Sequence, residues 1–489
     1  MTDNLIDNLN EIDRNRFKAY SQEVMGLDKK FWDSIDYLRD YVEDFRKREA
    51  RSPRMFTVVY GCQMNEHDNE KIAWILKLMG YEEAKSLEDA DFMVFNTCAI
   101  RENAELKVYG KIGSLKTLKE KRPDIKIALC GCMMQIDGIR ETILEKYGHV
   151  DLIFGTHNIH RLPELFVRNL KTSKTAVDVM EDSFEIVEGM EDLRVSQHKA
   201  YVNIMFGCNN FCTYCVVPYT RGREISRRPE DILAEIEKLA ELGYKEVTLL
   251  GQNVNSYGKT LNIDYSFPDL LRDINKIDSI RRIRFMTSHP RDISDDLIGA
   301  YGELENLANH LHLPVQSGSN EILRRMNRHY SREKYLKAID KVRSLKPDIA
   351  ISTDIIVGFP GETEEDFEAT LSLVREVEYD FVYSFIYSVR PGTKAGEMEG
   401  QLPYEVKHER FERLTQTIND ISLRKNQALV GQVLEVLVDE PSKSNSEMLS
   451  GRTEEFKLVH FRGDRSLIGQ LVELRITEAG TFSLEGSLL

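Results

Sequence analysis

Short apolar runs alternate with longer stretches of helical period over most of this chain. From about residue 53 to 170 the runs MFTVVY, DFMVFNT, IKIAL and VDLIFG are interleaved with NEKIAWILKLMG, AELKVYGKIGSLKTLKEK and IDGIRETILEKYG. Short, nearly continuous apolar runs read as buried strands, and apolar residues spaced three and four apart read as helices. Their alternation predicts a parallel sheet with helical crossovers. A second alternating stretch covers about 199–400, with strands YVNIMF, EVTLLG, RIRFMT, HLHLPV, AISTDIIVGF and FVYSFIYS. Six strands predict an incomplete (β/α)6 barrel, a form whose ligands bind at the C-terminal strand ends. A polar helix follows over 403–430, and then VLEVLVDE, FKLVHF and QLVELRIT predict a small closed β-barrel. Residues 1–52 read as a polar helical extension, and 171–198, rich in Asp, Glu and Ser, as a linker with a short strand pair. The expected class is therefore α/β, divided as extension 1–52, α/β domain 53–170, linker 171–198, parallel barrel 199–425 and terminal β-barrel 426–489.

Cysteine placement adds chemistry to this outline. Cys208, Cys212 and Cys215 form a C-x3-C-x2-C run directly after the first strand of the second α/β stretch. Three thiolates so spaced can hold three irons of a cubane cluster and leave the fourth open. Structural zinc instead takes a fourth protein ligand, usually from paired C-x2-C motifs. Cys62, Cys98 and Cys132 each lie just past a predicted strand of the first sheet. The C-terminal ends of parallel strands share one edge, so these three are expected to converge into a second three-thiolate site. Independent packing of buried cysteines is the alternative. Cys130 lies on the strand side of its Gly-Cys step and is expected to point into the core.

The 489 residues carry a net charge of −15, with 41% hydrophobic and 30% charged positions. That balance argues against a general nucleic-acid coat. Arginine is clustered locally, at Arg221, Arg223, Arg227 and Arg228, at Arg281, Arg282, Arg284 and Arg291, and at Arg324, Arg325, Arg328 and Arg332. The first group is the candidate RNA contact, where a polyanion would dock at one place. The N-terminus shows no secretory signal and the chain no long apolar run, so a cytoplasmic protein with free thiols and no membrane span is expected.

A cysteine run of this spacing after the first strand of a parallel barrel resembles the radical S-adenosylmethionine superfamily. The whole chain from about 53 onward resembles the methylthiotransferase family, which joins a cysteine-bearing α/β domain, a radical domain and a small TRAM barrel held to bind RNA. GRTEEFKLVHF is similar to the centre of that barrel. NTCAIRENAE, FGCNNFCTYCVVPYTRGREISR and LLGQNVNSYG resemble the members that act on isopentenylated adenosine beside the anticodon of tRNA. Relatives within the family act on threonylcarbamoyl-adenosine or on a ribosomal protein. A noncatalytic iron–sulfur RNA-binding protein is a third reading, of a different class.

The resemblance implies two 4Fe-4S clusters, held by Cys208, Cys212 and Cys215 and by Cys62, Cys98 and Cys132. It implies S-adenosylmethionine, two per product. Tyr214 is then expected near the adenine of that cofactor. Gly251, Gln252 and Asn253 are expected near its methionyl amine. Ser288, Gln316, Asp354 and Ile356, all at strand ends, complete the expected cofactor site. The implied partners are a tRNA anticodon stem-loop and a low-potential electron donor such as a flavodoxin, and a monomer is expected.

Overall fold

The computed structural model describes residues 27–99, 102–136, 138–180, 186–188, 190, 192–194, 196–442, 445 and 447–489. The first half of the predicted extension, residues 1–26, lies outside the described residues. The chain divides into two units, one drawn from residues 1–195 with 216–225, the other from 196–215 with 226–489.

In the first unit, helix α1 (Lys29–Glu49) starts on Asp28, whose carboxylate accepts from the Phe31 amide at 2.9 Å. Phe31, Trp32, Ile35, Leu38, Val42 and Phe45 recur at three- and four-residue spacing and are buried. They share a core with Trp74, Phe92 and Phe166. The described part of the extension is thus an integral layer of this unit. Behind it comes a six-stranded parallel sheet, ordered β2-β1-β3-β4-β5-β6. Its strands are β1 (Arg54–Val59), β2 (Glu82–Glu83), β3 (Phe92–Thr97), β4 (Lys126–Gly131), β5 (Leu152–Phe154) and β6 (Ala176–Asp178). Helices α2 (Gln63–Leu78), α3 (Glu102–Lys121), α4 (Ile139–Lys146) and α5 (Leu162–Thr172) connect them. β6 corrects the expectation of a linker with its own strand pair. Ala176, Val177 and Asp178 pair parallel with Leu152, Ile153 and Phe154, completing the sheet edge rather than a hairpin. In register, Val59 lies beside Asn96 and Thr97 beside Gly131, so β1, β3 and β4 end level.

In the second unit, β7 (Lys199–Asn203), β8 (Glu246–Leu250) and β9 (Arg282–Phe285) form one parallel sheet. β10 (His310–His312), β11 (Ala350–Val357) and β12 (Phe381–Ile386) form another. The bridge between Ile283 and Leu307 continues the two into one open wall of six strands. Alternation divides its residues. Val247, Leu249, Ile283, Leu311, Ile351 and Ile355 face the apolar core under the helices. Their neighbours Glu246, Arg284, His310, His312, Ser352 and Asp354 face inward. The inner face is tied by the Arg284–Glu246 ion pair at 2.9 Å and by His310 and His312 against the Ser352 hydroxyl at 2.7 and 2.8 Å. Helix α6 (Tyr404–Gln427) then leads to a closed antiparallel barrel built from β13 (Val433–Pro441), β14 (Leu449–Thr453), β15 (Leu458–Phe461), β16 (Leu471–Ala479) and β17 (Leu484–Leu488).

This terminal barrel docks at the N-terminal strand ends of the six-stranded wall. Arg282 donates to the carbonyls of Arg452 and Glu435 at 2.8 and 3.0 Å, and Arg284 to those of Glu454 and Thr453, both at 2.7 Å. Lys457 pairs with Asp380 at 2.9 Å. Phe456, in left-handed backbone at φ 69, stacks on His310 at 5.3 Å and lies under the Arg284 and Arg452 guanidinium groups. The second arginine cluster in the sequence is therefore largely a docking device, with Arg282 and Arg284 buried. Phe456→Ala is expected to cost about 1–3 kcal/mol through the lost ring and cation–π contacts. The checks are a lowered thermal midpoint and faster limited proteolysis at the α6–β13 junction. Among the described residues no helix is long and apolar enough to cross a membrane.

Candidate functional site

Level strand ends bring three cysteines of the first unit together. Cys62 follows β1 and caps α2, Cys98 follows β3, and Cys132 opens a turn after β4. Cys62 and Cys132 hold their sulfurs 3.8 and 3.9 Å from the same atom, Asn65 Oδ1. A Cβ placed on Gly61, at φ 127, would sit 2.8 Å from the Cys98 sulfur, so glycine is what lets β1 and β3 bring these loops so close. Arg221, from the 216–225 segment that belongs to this unit, donates to Asn65 Oδ1 at 2.8 Å and pairs with Asp68 at 2.7 Å. Val216 of the same segment packs with Ala99 and Cys132. Burial pushes the Cys132 thiol up, and the Arg221 guanidinium opposes that shift. Cys130, by contrast, is buried in the apolar core among Val94 and Ala128, as expected.

In the second unit the Cys208–Cys215 loop is fastened by a segment far away in sequence. Asn327 Nδ2 donates to the carbonyls of Asn210 and Phe211 at 3.2 and 3.0 Å. Thr213 donates through its hydroxyl to the Arg325 carbonyl at 2.9 Å and through its amide to the Met326 carbonyl at 3.1 Å. Buried Arg328 places Nη1 3.4 Å from the Cys212 sulfur, and its other donors are held by the Pro314 carbonyl and the Tyr330 hydroxyl.

The spacing of the thiols decides what they suit. Four sulfurs around one zinc at Zn–S about 2.3 Å stand only about 3.8 Å apart. Neither cysteine triad draws its three sulfurs within 4.8 Å of one another. Neither triad is therefore drawn up around a single tetrahedral ion. The trio that does fall within 4.8 Å, His67, Glu70 and Asp192, has Arg194 as countercharge at 3.9 Å from Glu70 and 2.7 Å from Asp192.

Of the residues expected to hold S-adenosylmethionine, Gly251, Gln252 and Asn253 follow β8, Ser288 follows β9 and Gln316 follows β10. At Gly251 a side chain would strike Met205 Cγ at 2.5 Å, so the loop can pass there only as glycine. Asn253 is buried and its Nδ2 donates to Asp292 at 2.8 Å, leaving Oδ1 without a hydrogen-bond partner. Ser288 Oγ, both side-chain polar atoms of Asn203 and His289 Nε2 are likewise buried without partners. Buried polar groups are nearly always paired, so a set of them at strand ends marks a place where a polar ligand fits. His289 accepts from the Arg291 amide at Nδ1, which puts its proton on Nε2. Burial and the field of Arg328 pull its pKa down to about 2, so the ring stays neutral. Gln316 adopts φ 71 and bridges to Ile355, and Asp354 and Ile356 follow on β11, while Tyr214 and Ile356 pack against one apolar cluster with Phe359 and Tyr387. Gln252 is half-buried beside Asn253.

Asp292 orients Asn253, and sequence reading missed it. Burial opposes its ionisation, but hydrogen bonds from Arg291, Lys259 and Asn253 overcome this and hold the carboxyl well below its usual range. A group with a depressed folded pKa stabilises the fold above its unfolded value, near 3.8 here, and loses that contribution as pH falls through the folded value. Asp292→Asn is therefore expected to lower stability at neutral pH and to flatten its acid dependence. Urea midpoints measured between about pH 5 and pH 2 test this.

The four arginines expected to hold RNA do not act together. Arg221 is buried in its pair with Asp68, and Arg227 is buried, donating to the Asn203 carbonyl at 2.6 Å and pairing with Glu235 at 2.8 Å. Both are corrected to internal roles, because a guanidinium spent on buried partners cannot reach a phosphate. Arg223 and Arg228 are exposed.

Three family models match in succession: uncharacterized protein family UPF0004 over residues 54–155, the radical SAM superfamily over 202–374 and the TRAM domain over 427–489. The radical SAM match implies iron–sulfur and S-adenosylmethionine chemistry, which the donor sets above fit. A solved structure of the radical S-adenosylmethionine methyltransferase TsrM from Kitasatospora setae shares the fold at TM-score 0.52, with 13% identity, covering 71% of this chain and 75% of that one. A protein named tRNA-2-methylthio-N(6)-dimethylallyladenosine synthase from Alkaliphilus oremlandii is 52% identical over 461 residues, 94% of this chain and 97% of that protein. Its namesake from Thermoanaerobacter sp. strain X514 is 55% identical over 430 residues, 88% and 91% of the two chains. The Clostridioides difficile namesake is 51% identical over 456 residues, 93% and 95%. Identity of this order over nearly the full length of such proteins shows that the chain belongs to the tRNA-2-methylthio-N(6)-dimethylallyladenosine synthase family.

Proposed function

We propose that this protein adds a methylthio group to C2 of N6-isopentenyladenosine beside the anticodon of tRNA. The observation that carries this reading is the 52% identity over 461 residues with a relative named for that synthesis. The two thiol sites support it. Cys208, Cys212 and Cys215 would hold one 4Fe-4S cluster and Cys62, Cys98 and Cys132 the other, with two S-adenosylmethionine molecules used per product. When bound, these groups supply the one-electron and sulfur chemistry that acid–base side chains cannot perform at an adenine C–H bond.

The chain's own residues bind and orient. Arg328 and Arg221 set fixed positive charge beside the cysteines of each site. Asn253, Ser288 and neutral His289 offer hydrogen bonds from a preorganised edge, with Asp292 holding Asn253 in place. Exposed Arg223 and Arg228 are the remaining members of the first cluster for phosphates of an anticodon stem-loop. A low-potential donor such as a flavodoxin would deliver electrons, and the enzyme would work as a cytoplasmic monomer, where thiols stay reduced.

The test is anaerobic reconstitution followed by incubation with reductant, S-adenosylmethionine and stem-loop RNA bearing isopentenyladenosine, with unprenylated RNA alongside and nucleosides read by mass spectrometry. A 2-methylthio product from the prenylated RNA alone is expected. 5′-Deoxyadenosine without a methylthio product would move the target elsewhere in the family. Neither product, from protein carrying both clusters and fully reduced, would favour a binding role.

A further inference from the structure

The last strand of the parallel wall presents aromatic rings where a packed barrel would bury them. Along β12, Val382 and Ile386 pack on the core under the helices. Phe381, Tyr383 and Phe385 alternate to the inner face, where Tyr383 remains 40% and Phe385 37% exposed. Single exposed hydrophobics are ordinary on an outer surface. Two in succession on the inward face of a sheet, beside a cofactor site, are not explained that way.

Their neighbours define the surroundings. Parallel register sets Tyr383 beside Asp354 and Phe385 beside Ile356. Ile356 shares an apolar cluster with Tyr214. Below, His312 meets the Tyr383 ring edge-on at 5.8 Å, and Phe456 stacks with His310 and meets Phe381 edge-on at 6.3 Å. The inner face is thus closed at its N-terminal end by the docked barrel and lined by open aromatic surface toward the C-terminal strand ends.

We propose that Tyr383 and Phe385 form the wall that receives the prenylated adenine, the base lying flat on the rings and the isopentenyl tail against Phe385 and Ile356. This rests on the reading under Proposed function. A loop base is unpaired, can be splayed out, and stacks on aromatic side chains. An aliphatic tail gains most from a surface that is apolar and already uncovered, because little protein hydration is then lost to polar groups. The wall adjoins Ile356 and Tyr214, so a base held there lies next to the expected cofactor rather than at a remote surface.

The full reconstituted chain tests this with two stem-loop RNAs, identical except for isopentenyladenosine or adenosine at the target position. Kd is read by fluorescence anisotropy and kcat/KM from methylthio product. Phe385→Ala is expected to weaken binding of the prenylated RNA about 10- to 100-fold, the scale of one stacked base. The unprenylated RNA should weaken less, so the preference between the two shrinks. Phe385→Leu keeps apolar surface and should retain much of the preference, which separates lost contact from lost fold. Tyr37→Ala on α1, where the ring is 44% exposed, should leave both affinities unchanged. An unaltered Kd for prenylated RNA in Phe385→Ala, or an equal loss for both RNAs, would overturn the wall. Wild-type enzyme that binds the prenylated RNA yet makes no methylthio product would instead overturn the proposed function, leaving the wall to be judged on Kd.

Discussion

Alanine at Cys208, Cys212 or Cys215 is expected to end both 5′-deoxyadenosine formation and methylthio transfer. Alanine at Cys62, Cys98 or Cys132 is expected to end methylthio transfer. Either change should cost about half of the bound iron, since each triad is expected to carry one cluster of four. The effect is large because a three-thiolate site has no spare ligand. Removing one sulfur would leave only two protein thiolates to hold a cluster. Arg328, buried beside Cys212, and Arg221, beside Asn65 and Asp68, would then face altered charge with no water to screen it. Iron and sulfide analysis with Mössbauer spectra checks the assignment. Full iron content in Cys98→Ala, or zinc in place of iron in the wild type, would sink the two-cluster arrangement.

Arg221→Met is expected to destabilise the first unit by about 3–5 kcal/mol, the cost of stranding one member of a buried ion pair. Buried Asp68 would lose its guanidinium partner, and Asn65 would lose the donor that fixes its Oδ1 between two cysteine sulfurs. The double variant Arg221→Met with Asp68→Leu removes both charges and should recover most of that stability. It should not recover cluster loading at Cys62 and Cys132, because Asn65 would still lack its donor. Urea unfolding of the apo protein and iron analysis of the reconstituted protein read the two effects separately. A single variant as stable as wild type would show that the pair is dispensable.

Both predictions turn on residues whose importance the sequence concealed to different degrees. The cysteines were legible because metal chemistry restricts residue type and spacing, and because parallel strands must end along one edge. Asn65 and Asp68 left a faint signal. They stand three apart in QMNEHDNE and three and six residues past Cys62, polar positions on what becomes a buried helix face. Arg221 left none. It sits in a basic run that reads equally well as a phosphate grip, and only its burial against Asp68 shows otherwise. Arg282 and Arg284 were misleading in the same way, since a row of guanidinium groups looks alike whether it meets RNA or the carbonyls of Thr453 and Glu454.

The sequence by itself determined the alternation of strands and helices, the two parallel sheets, the closing barrel and the placement of two groups of three cysteines after strands, because periodicity and residue spacing are local properties of the chain. It did not determine that α1 belongs to the core, since an amphipathic helix of polar average looks the same on a surface or in a layer. Nor did it decide that β6 completes the first sheet, that Phe456 closes the floor of the inner wall, or that Asp292 holds Asn253. Those depend on partners tens to hundreds of residues away, and burial or pairing at such separations is a property of the folded chain alone.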